Sequence, residues 1–228
     1  MKLRSCLTLF AFLVFVSSSI NAQKGQAVLH AGVNFTRVSL TNGGKYDASD
    51  ILTTFQFGIS GDYHLGSFFY IQPGLSYTGK GSKVSDGDPD DNTTWYKATS
   101  NPFYIEIPVN VVLKSPGKQK FFIGAGPYIG VGVGGKNKAE GQVAGVYFKT
   151  QSEIKFSDED PGGTTYQLGA GFPTMKRLDY GLNMLAGIEC HRIVFKGGYQ
   201  YGLAKLRATT NDDKNKTRLI FFTLGLKL

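Results

Sequence analysis

Beyond residue 22, apolar and polar residues alternate one by one over segments of about ten residues. Between Phe103 and Leu113 the apolar set is Phe103, Ile105, Ile107, Val109, Val111 and Leu113, with Tyr104, Glu106, Pro108, Asn110 and Val112 in between. The last segment repeats the pattern, with Phe222, Leu224, Leu226 and Leu228 against Thr223, Gly225 and Lys227. Phe55, Phe57 and Ile59 alternate with Gln56, Gly58 and Ser60, and Phe69, Ile71, Leu75 and Tyr77 with Tyr70, Gln72, Gly74 and Ser76. A period of two marks β-strands that present one apolar and one polar or small face. No segment after residue 22 keeps a helical period or an apolar run long enough for a membrane helix, whereas about ten residues suffice for a tilted strand to cross the hydrocarbon layer.

The pattern predicts strands near 27–38, 53–64, 67–79, 101–114, 120–135, 179–191, 192–207 and 217–228. The connections alternate in length: 39–52 is long, Leu65-Gly66 tight, 80–100 long, 115–119 short, 136–178 very long, His191-Arg192 tight and 208–216 moderate. The expected fold class is therefore all-β: an eight-stranded antiparallel up-and-down transmembrane β-barrel with short periplasmic turns and long external loops. Aromatic residues support it, because Phe68-Phe69 and Phe121-Phe122 follow short turns while Tyr77, Phe103, Tyr180, Tyr199 and Tyr201 lie toward the long connections. Two such bands are expected where strands cross the two interfaces of a membrane.

Composition refines the picture. Lys2 and Arg4 precede the apolar run Cys6–Val16, and Ser17–Ser19 and Ala22 follow it, the order of a secretory signal peptide cut after Ala22. The expected organisation is a signal peptide over 1–22 and one barrel domain over 23–228, placed in the cell outer membrane after export. The formal charge of +8 includes Lys2 and Arg4, and the remaining excess suits an anionic lipid surface; an exported protein does not meet nucleic acid. With Cys6 lost, Cys190 stands alone, so no disulfide supplies stability and closure of a sheet within the bilayer would do so instead.

A soluble, lipocalin-like barrel would alternate in the same way, but its outer face would meet water and be rich in charge. The stretch Phe121–Gly135 carries no charge, and its second face reads Gly124, Gly126, Tyr128, Gly130, Gly132 and Gly134, which suits a narrow interior crowded by side chains. In the membrane reading the inward set includes Glu106, Asn110, Asn183, Glu189, Lys196, Gln200 and Lys227. Buried charges need partners, so a polar network is expected in which Glu106 or Glu189 is bonded to Lys196, Lys227 or a neighbouring basic group.

The segments Phe103-Tyr104-Ile105-Glu106-Ile107-Pro108-Val109, Phe122-Ile123-Gly124-Ala125-Gly126-Pro127-Tyr128, Leu178-Asp179-Tyr180-Gly181-Leu182 and Gly197-Gly198-Tyr199-Gln200-Tyr201-Gly202-Leu203, with the alternating C-terminal strand, resemble the PorT-like outer-membrane β-barrel family. The resemblance runs over residues 25–228 in matching order. It implies the barrel and its membrane; the namesake takes part in secretion across the outer membrane, while most such relatives are small barrels without an assigned activity.

The chain offers little to catalysis. Gly130, Gly132 and Gly135 fit the spacing G-x-G-x-x-G, but that motif needs a helix after it, and here it lies in an alternating strand. Asp86-Gly87-Asp88-Pro89-Asp90-Asp91 begins like a calcium loop, yet the sixth position is Asp91 rather than Gly and the twelfth is Lys97 rather than Glu, so it reads as a solvated acidic loop, as does Asp158-Glu159-Asp160. His30, His64 and His191 come from three separate strands near the periplasmic end, and Cys190 has only His191 beside it. The external loops hold no histidine to serve as a base, so no enzyme, cofactor or metal is expected.

An eight-stranded barrel is filled by its own side chains, which argues against a diffusion pore. Function is then expected on the external loops, with Trp95, Tyr96, Tyr147, Phe148 and Tyr166 as contact candidates. The expected partners are outer-membrane lipid and lipopolysaccharide, or a protein reached through those loops, with the barrel itself a monomer. A place in a protein secretion machine is the alternative that the resemblance carries.

Overall fold

The computed structural model describes residues 25–42, 45–48, 50–88, 94–157, 174–205 and 216–228. The 1–22 leader, Tyr166, the acidic triplet 158–160 and residues 89–91 of the first acidic loop lie outside them. The strands are β1 (Gln26–Asn42), β2 (Lys45–Ala48), β3 (Leu52–Gly66), β4 (Phe69–Gly79), β5 (Ser82–Asp86), β6 (Thr94–Lys114), β7 (Gln119–Val143), β8 (Val146–Glu153), β9 (Lys155–Phe156), β10 (Thr174–Met175), β11 (Leu178–Cys190), β12 (Ile193–Gly202) and β13 (Lys216–Lys227).

Eight of them close on themselves in the order β1, β3, β4, β6, β7, β11, β12, β13 and back to β1, every neighbour antiparallel. Closure leaves none of these eight strands with an unpaired edge, as hydrocarbon demands of a spanning sheet. Alternation sets which side chains face out. In β13 Thr217, Leu219, Phe221, Thr223 and Lys227 are buried while Ile220, Phe222, Leu224 and Leu226 are exposed, and Ile107, Ile123, Phe57 and Phe195 are exposed in the same way on their strands. A large apolar surface turned outward and a polar set turned inward is the inverse of a soluble barrel. The outer aromatics cluster on adjacent strands: Phe55, Tyr77 and Phe103 gather with ring centroids 5.1–6.3 Å apart.

Two strands outgrow the expected spans. β6 begins at Thr94 rather than near 101, and β7 runs to Val143 rather than 135, paired residue by residue from Thr94↔Val143 to Asn101↔Lys136. A bulge explains how both can continue: Gly132 and Gly134 oppose the consecutive residues Tyr104 and Phe103, so Val133 is extra. The buried set of β7 accordingly switches from even positions, Tyr128, Gly130 and Gly132, to odd ones, Asn137, Ala139 and Gly141. Beyond it, β7 turns at Ala144-Gly145 into β8, so much of the long connection 136–178 is an ordered hairpin, and β5 flanks β6 on the other side. The first tight turn also shifts, to Ser67-Phe68, because an irregularity between His64 and Gly66 carries β3 past the expected Leu65-Gly66 turn.

After β8 the chain drops back over the barrel mouth. Ile154 N donates to Gly135 O at 3.0 Å, and β9 pairs in parallel with β10. Ile154, Phe156 and Met175 form a small apolar cluster, and the Phe156 ring stands edge-on to Tyr104 at 5.8 Å. The absence of a side chain at Gly132 makes room for it, since a Cβ there would lie 2.2 Å from the Phe156 ring.

These contacts separate two kinds of interior glycine. At Gly126 a Cβ would meet the Val109 carbonyl oxygen at 2.0 Å, and that backbone is fixed by the ladder. Gly126→Val is expected to lower barrel stability by about 1–3 kcal/mol through overpacking. Gly132→Val needs only the Phe156 ring to swing away and should cost less. Urea midpoints of vesicle-refolded protein, followed by the heat-dependent gel shift of folded barrels, check the order.

Candidate functional site: a closed lumen and an external sheet

The inward-facing charges gather in two layers. Toward the external end, Lys80 is 1% exposed and sits between two acids, pairing with Glu106 and donating to Asp179 Oδ2 at 2.7 Å. Tyr128 donates its hydroxyl to the same Asp179 oxygen at 3.3 Å, and the Lys80 ammonium lies 4.0 Å from the centre of the Tyr128 ring. Gln200 Nε2 donates to Glu106 Oε2 at 3.1 Å. Toward the periplasmic end, Lys114 pairs with Asp62 and donates to Glu189 Oε2 at 2.8 Å, while Lys227 pairs with Glu189 and donates to Gln26 Oε1 at 3.1 Å. Gln72 Nε2 donates to Asp62 Oδ1 at 3.2 Å, which occupies the acid's second oxygen. Each buried carboxylate among the described residues is thus held by an ammonium, the arrangement low-dielectric surroundings require.

Between the layers lie Asn110, Asn183, Gln200, His30 and Lys196, around a cavity of about 40 Å³. His30 Nε2 is 3.3 Å from Ser76 Oγ, and the side-chain carbonyl oxygens of Asn110 and Asn183 are buried without a hydrogen bond from the protein. Lys196 also lines a second cavity of about 10 Å³, and among the described residues no carboxylate lies within ion-pair distance of it. Of the six residues the sequence puts into one network, Glu106, Glu189 and Lys227 therefore stand in ion pairs, whereas Asn110, Asn183 and Lys196 line the polar layer between them. Sequence reasoning passed over Lys80, Asp62, Asp179 and Lys114. Asp62 and Lys114 were legible in principle, as even-numbered inward positions at strand ends; Lys80 was not, because it follows β4 in what reads as loop.

With the mouth covered by Phe156 and Met175 and both charged layers packed, the described lumen has no room for a diffusing solute. The histidines do not converge: His30 is inside, while His64, whose Nε2 is 2.9 Å from Ser67 O, and His191 lie at two different turns. No cluster of three or more His, Cys, Asp or Glu side chains occurs among the described residues. Gly130, Gly132 and Gly135 all belong to β7, which continues as strand.

Outside, the sheet β5–β6–β7–β8 rises above the apolar belt. Trp95 opposes Gln142 and Gln142 opposes Tyr147, so the two aromatics flank one row, their centroids 6.4 Å apart. The next row on the same face is Lys97, Glu140 and Lys149, with both lysines within 4.0 Å of the acid. Tyr96 and Phe148 share the opposite face across Gly141.

A family match agrees with this architecture. Residues 21–207 match a family described as "Outer membrane protein beta-barrel domain". Among solved structures, Ail, the attachment invasion locus protein of Yersinia pestis, is 14% identical over 90% of this chain and 99% of its own, with a TM-score of 0.41. Neisserial surface protein A is 13% identical over 89% of this chain and 97% of its own, with a TM-score of 0.42. OprG of Pseudomonas aeruginosa is 11% identical over 90% and 97%, with a TM-score of 0.35. No curated protein matches the sequence.

The unequal pairing of the interior lysines is measurable. Lys114→Met strands Asp62 and leaves Glu189 to Lys227 alone, and should cost about 3–5 kcal/mol. Lys196→Met removes an ammonium with no carboxylate partner and should be neutral or stabilising. Denaturant unfolding of the two variants in the same vesicles tests the difference, and equal losses would contradict the assignment of partners.

Proposed function

The chain belongs to the family of outer-membrane β-barrel domains, and from that premise we propose that it is a non-catalytic scaffold, monomeric in the membrane, whose external connections bind a partner or the lipopolysaccharide layer. The observation that carries this reading is the external sheet. Four strands' worth of ordered backbone stand above the belt on β5 to β8, and they present Trp95, Tyr147 and a lysine-flanked row rather than folding over the barrel. Aromatic and mixed-charge surface on a rigid support is the composition of a contact surface, and the packed lumen below leaves transport without a route. Residues 1–22 fit an export signal removed after Ala22, leaving a barrel domain from residue 23.

Membership of the PorT-like branch is a narrower reading, supported by where its segments fall. Glu106, Tyr128, Asp179 and Gln200, one from each resembling segment, meet around Lys80. What the resemblance tracks is therefore the construction of the barrel interior. A role in a secretion machine would need a partner at the external sheet, and it predicts a stoichiometric membrane complex on gentle detergent extraction.

Replacing Lys138–Gln151 by a two-residue turn removes the hairpin tip at a paired position while keeping the Asn137↔Ser152 pair below it. The shortened protein is expected to keep its heat-dependent gel shift and to lose most binding to lipopolysaccharide-bearing vesicles or to a co-purifying protein. Unchanged binding by the shortened barrel would count against the external sheet as the contact surface. Amino-terminal sequencing of the native membrane protein should begin at Gln23.

A further inference from the structure

The wall opposite the β6–β7 extension carries a different feature. At the seam where β1 meets β13, Arg37 and Arg218 are directly opposed in register, and Arg218 in turn opposes Tyr201 on β12. All three point outward, because their neighbours Thr36, Val38, Thr217 and Leu219 are buried in the lumen. Two like charges directly across an antiparallel pair repel, so this placement destabilises the seam unless something compensates. Among the described residues no carboxylate lies within ion-pair distance of Arg37, Arg218 or Lys216, which follows outward on β13. The lysines of the external sheet differ, since Lys97 and Lys149 share Glu140.

The arginines are also prepared for an anion. The Arg218 guanidinium is stacked 3.6 Å over the Tyr201 ring, which fixes its plane, and its Nη1 is buried without a hydrogen bond from the protein. A stacked guanidinium whose buried Nη1 lacks an acceptor, directly across the strand pair from the exposed Arg37, has donor capacity left for a phosphate. Directly below lie Phe35, Ile220 and Phe222, exposed on the outer face, with Phe35 and Phe222 edge-to-face at 6.4 Å. Cationic donors immediately above an apolar belt at the external end of the strands face the level where the headgroups of the outer leaflet begin.

We propose that Arg37 and Arg218, stacked on Tyr201 and assisted by Lys216, form a binding site for the phosphate of a phosphorylated outer-leaflet lipid whose acyl chains run down the Phe35, Ile220 and Phe222 surface. The site deepens the lipid side of the proposed function and rests on that reading. It lies on the barrel wall, apart from the β7–β8 hairpin, so the two are separable.

The test uses the full mature chain in detergent micelles and diphosphoryl lipid A as probe, with native mass spectrometry counting retained lipid and titration giving Kd. The wild type should hold one lipid per barrel. The double variant Arg37→Gln/Arg218→Gln, judged folded by its heat-dependent gel shift, should bind roughly tenfold or more weakly, as expected when charge-assisted bonds to a phosphate are lost. The pair Arg37→Lys/Arg218→Lys should fall between, because charge is kept and the bidentate fork is not. If the double variant does not fold, the single variant Arg37→Gln is read in its place, since Arg37 has no stacking role. Full-strength binding by folded variants would overturn the site while leaving contact of the external sheet with the lipid layer intact. Equal binding of dephosphorylated lipid A would overturn the phosphate assignment, and equally tight binding of inorganic phosphate would overturn the lipid one. Failure of the wild type to retain any phosphorylated lipid would overturn the site together with the lipid side of the proposed function, leaving only a protein partner.

Discussion

Everything in this molecule follows from the requirement that backbone N–H and C=O groups inside hydrocarbon find partners within the protein. An open sheet would leave two rows of them bare, so β6 must meet β7 and β1 must meet β13. Once the ring closes with eight strands its bore is fixed, and the bore is about as wide as the side chains that point into it. The outward residues then have a single solvent to satisfy, and Leu29, Phe57, Ile107, Ile123 and Leu224 do so by being apolar. The inward residues face a harder problem, because what they bury is largely polar.

The ion-pair layers are the answer to that problem. Taking a carboxylate and an ammonium out of water costs several kcal/mol each, and an apolar filling of equal volume would often be as stable. What the charges add is discrimination between registers. A slip of β4 against β6 by one residue would turn Glu106 toward lipid and part it from Lys80. Likewise Lys114, on β6, reaches Asp62 on β3 and Glu189 on β11, so one side chain pins three strands. Gly130, Gly181 and Gly187 leave space that Glu106 and the rings of Tyr128 and Phe122 occupy.

Much of this was legible in the sequence because it depends on a period of two, and that period survives wherever strands are regular. The strand count, the alternation of long and short connections and the inward direction of Glu106, Asn110, Asn183 and Lys227 all follow from it. The pattern fails where the backbone departs from regularity. The bulge at Val133 reverses which residues of β7 are buried, so a parity reading carried past Gly132 assigns Asn137 and Ala139 to the wrong face. Lys80 is invisible for a related reason: it stands just after β4, beside Gly79 and Gly81, and only the fold brings it to Asp179, ninety-nine positions away. Phe156 and Met175 likewise belong to segments too short to show a period, and their meeting over the mouth is a tertiary event.

Closure at both ends of the lumen also determines where recognition can be placed. With the described lumen packed, the outer wall and the external connections are the surfaces left for recognition, and these two are charged in different ways. On the β6–β8 sheet the lysines share Glu140, so the sheet neutralises part of its own field and keeps aromatic contacts available. At the β1–β13 seam the opposed arginines have no carboxylate partner among the described residues. Self-neutralised surface is compatible with a protein face, where unpaired charges would have to be desolvated at a cost. Arginine at the edge of an apolar belt is costly in isolation and becomes favourable when an anion arrives with its own hydrocarbon, so the lipid site proposed at the seam and the external sheet would suit chemically different partners.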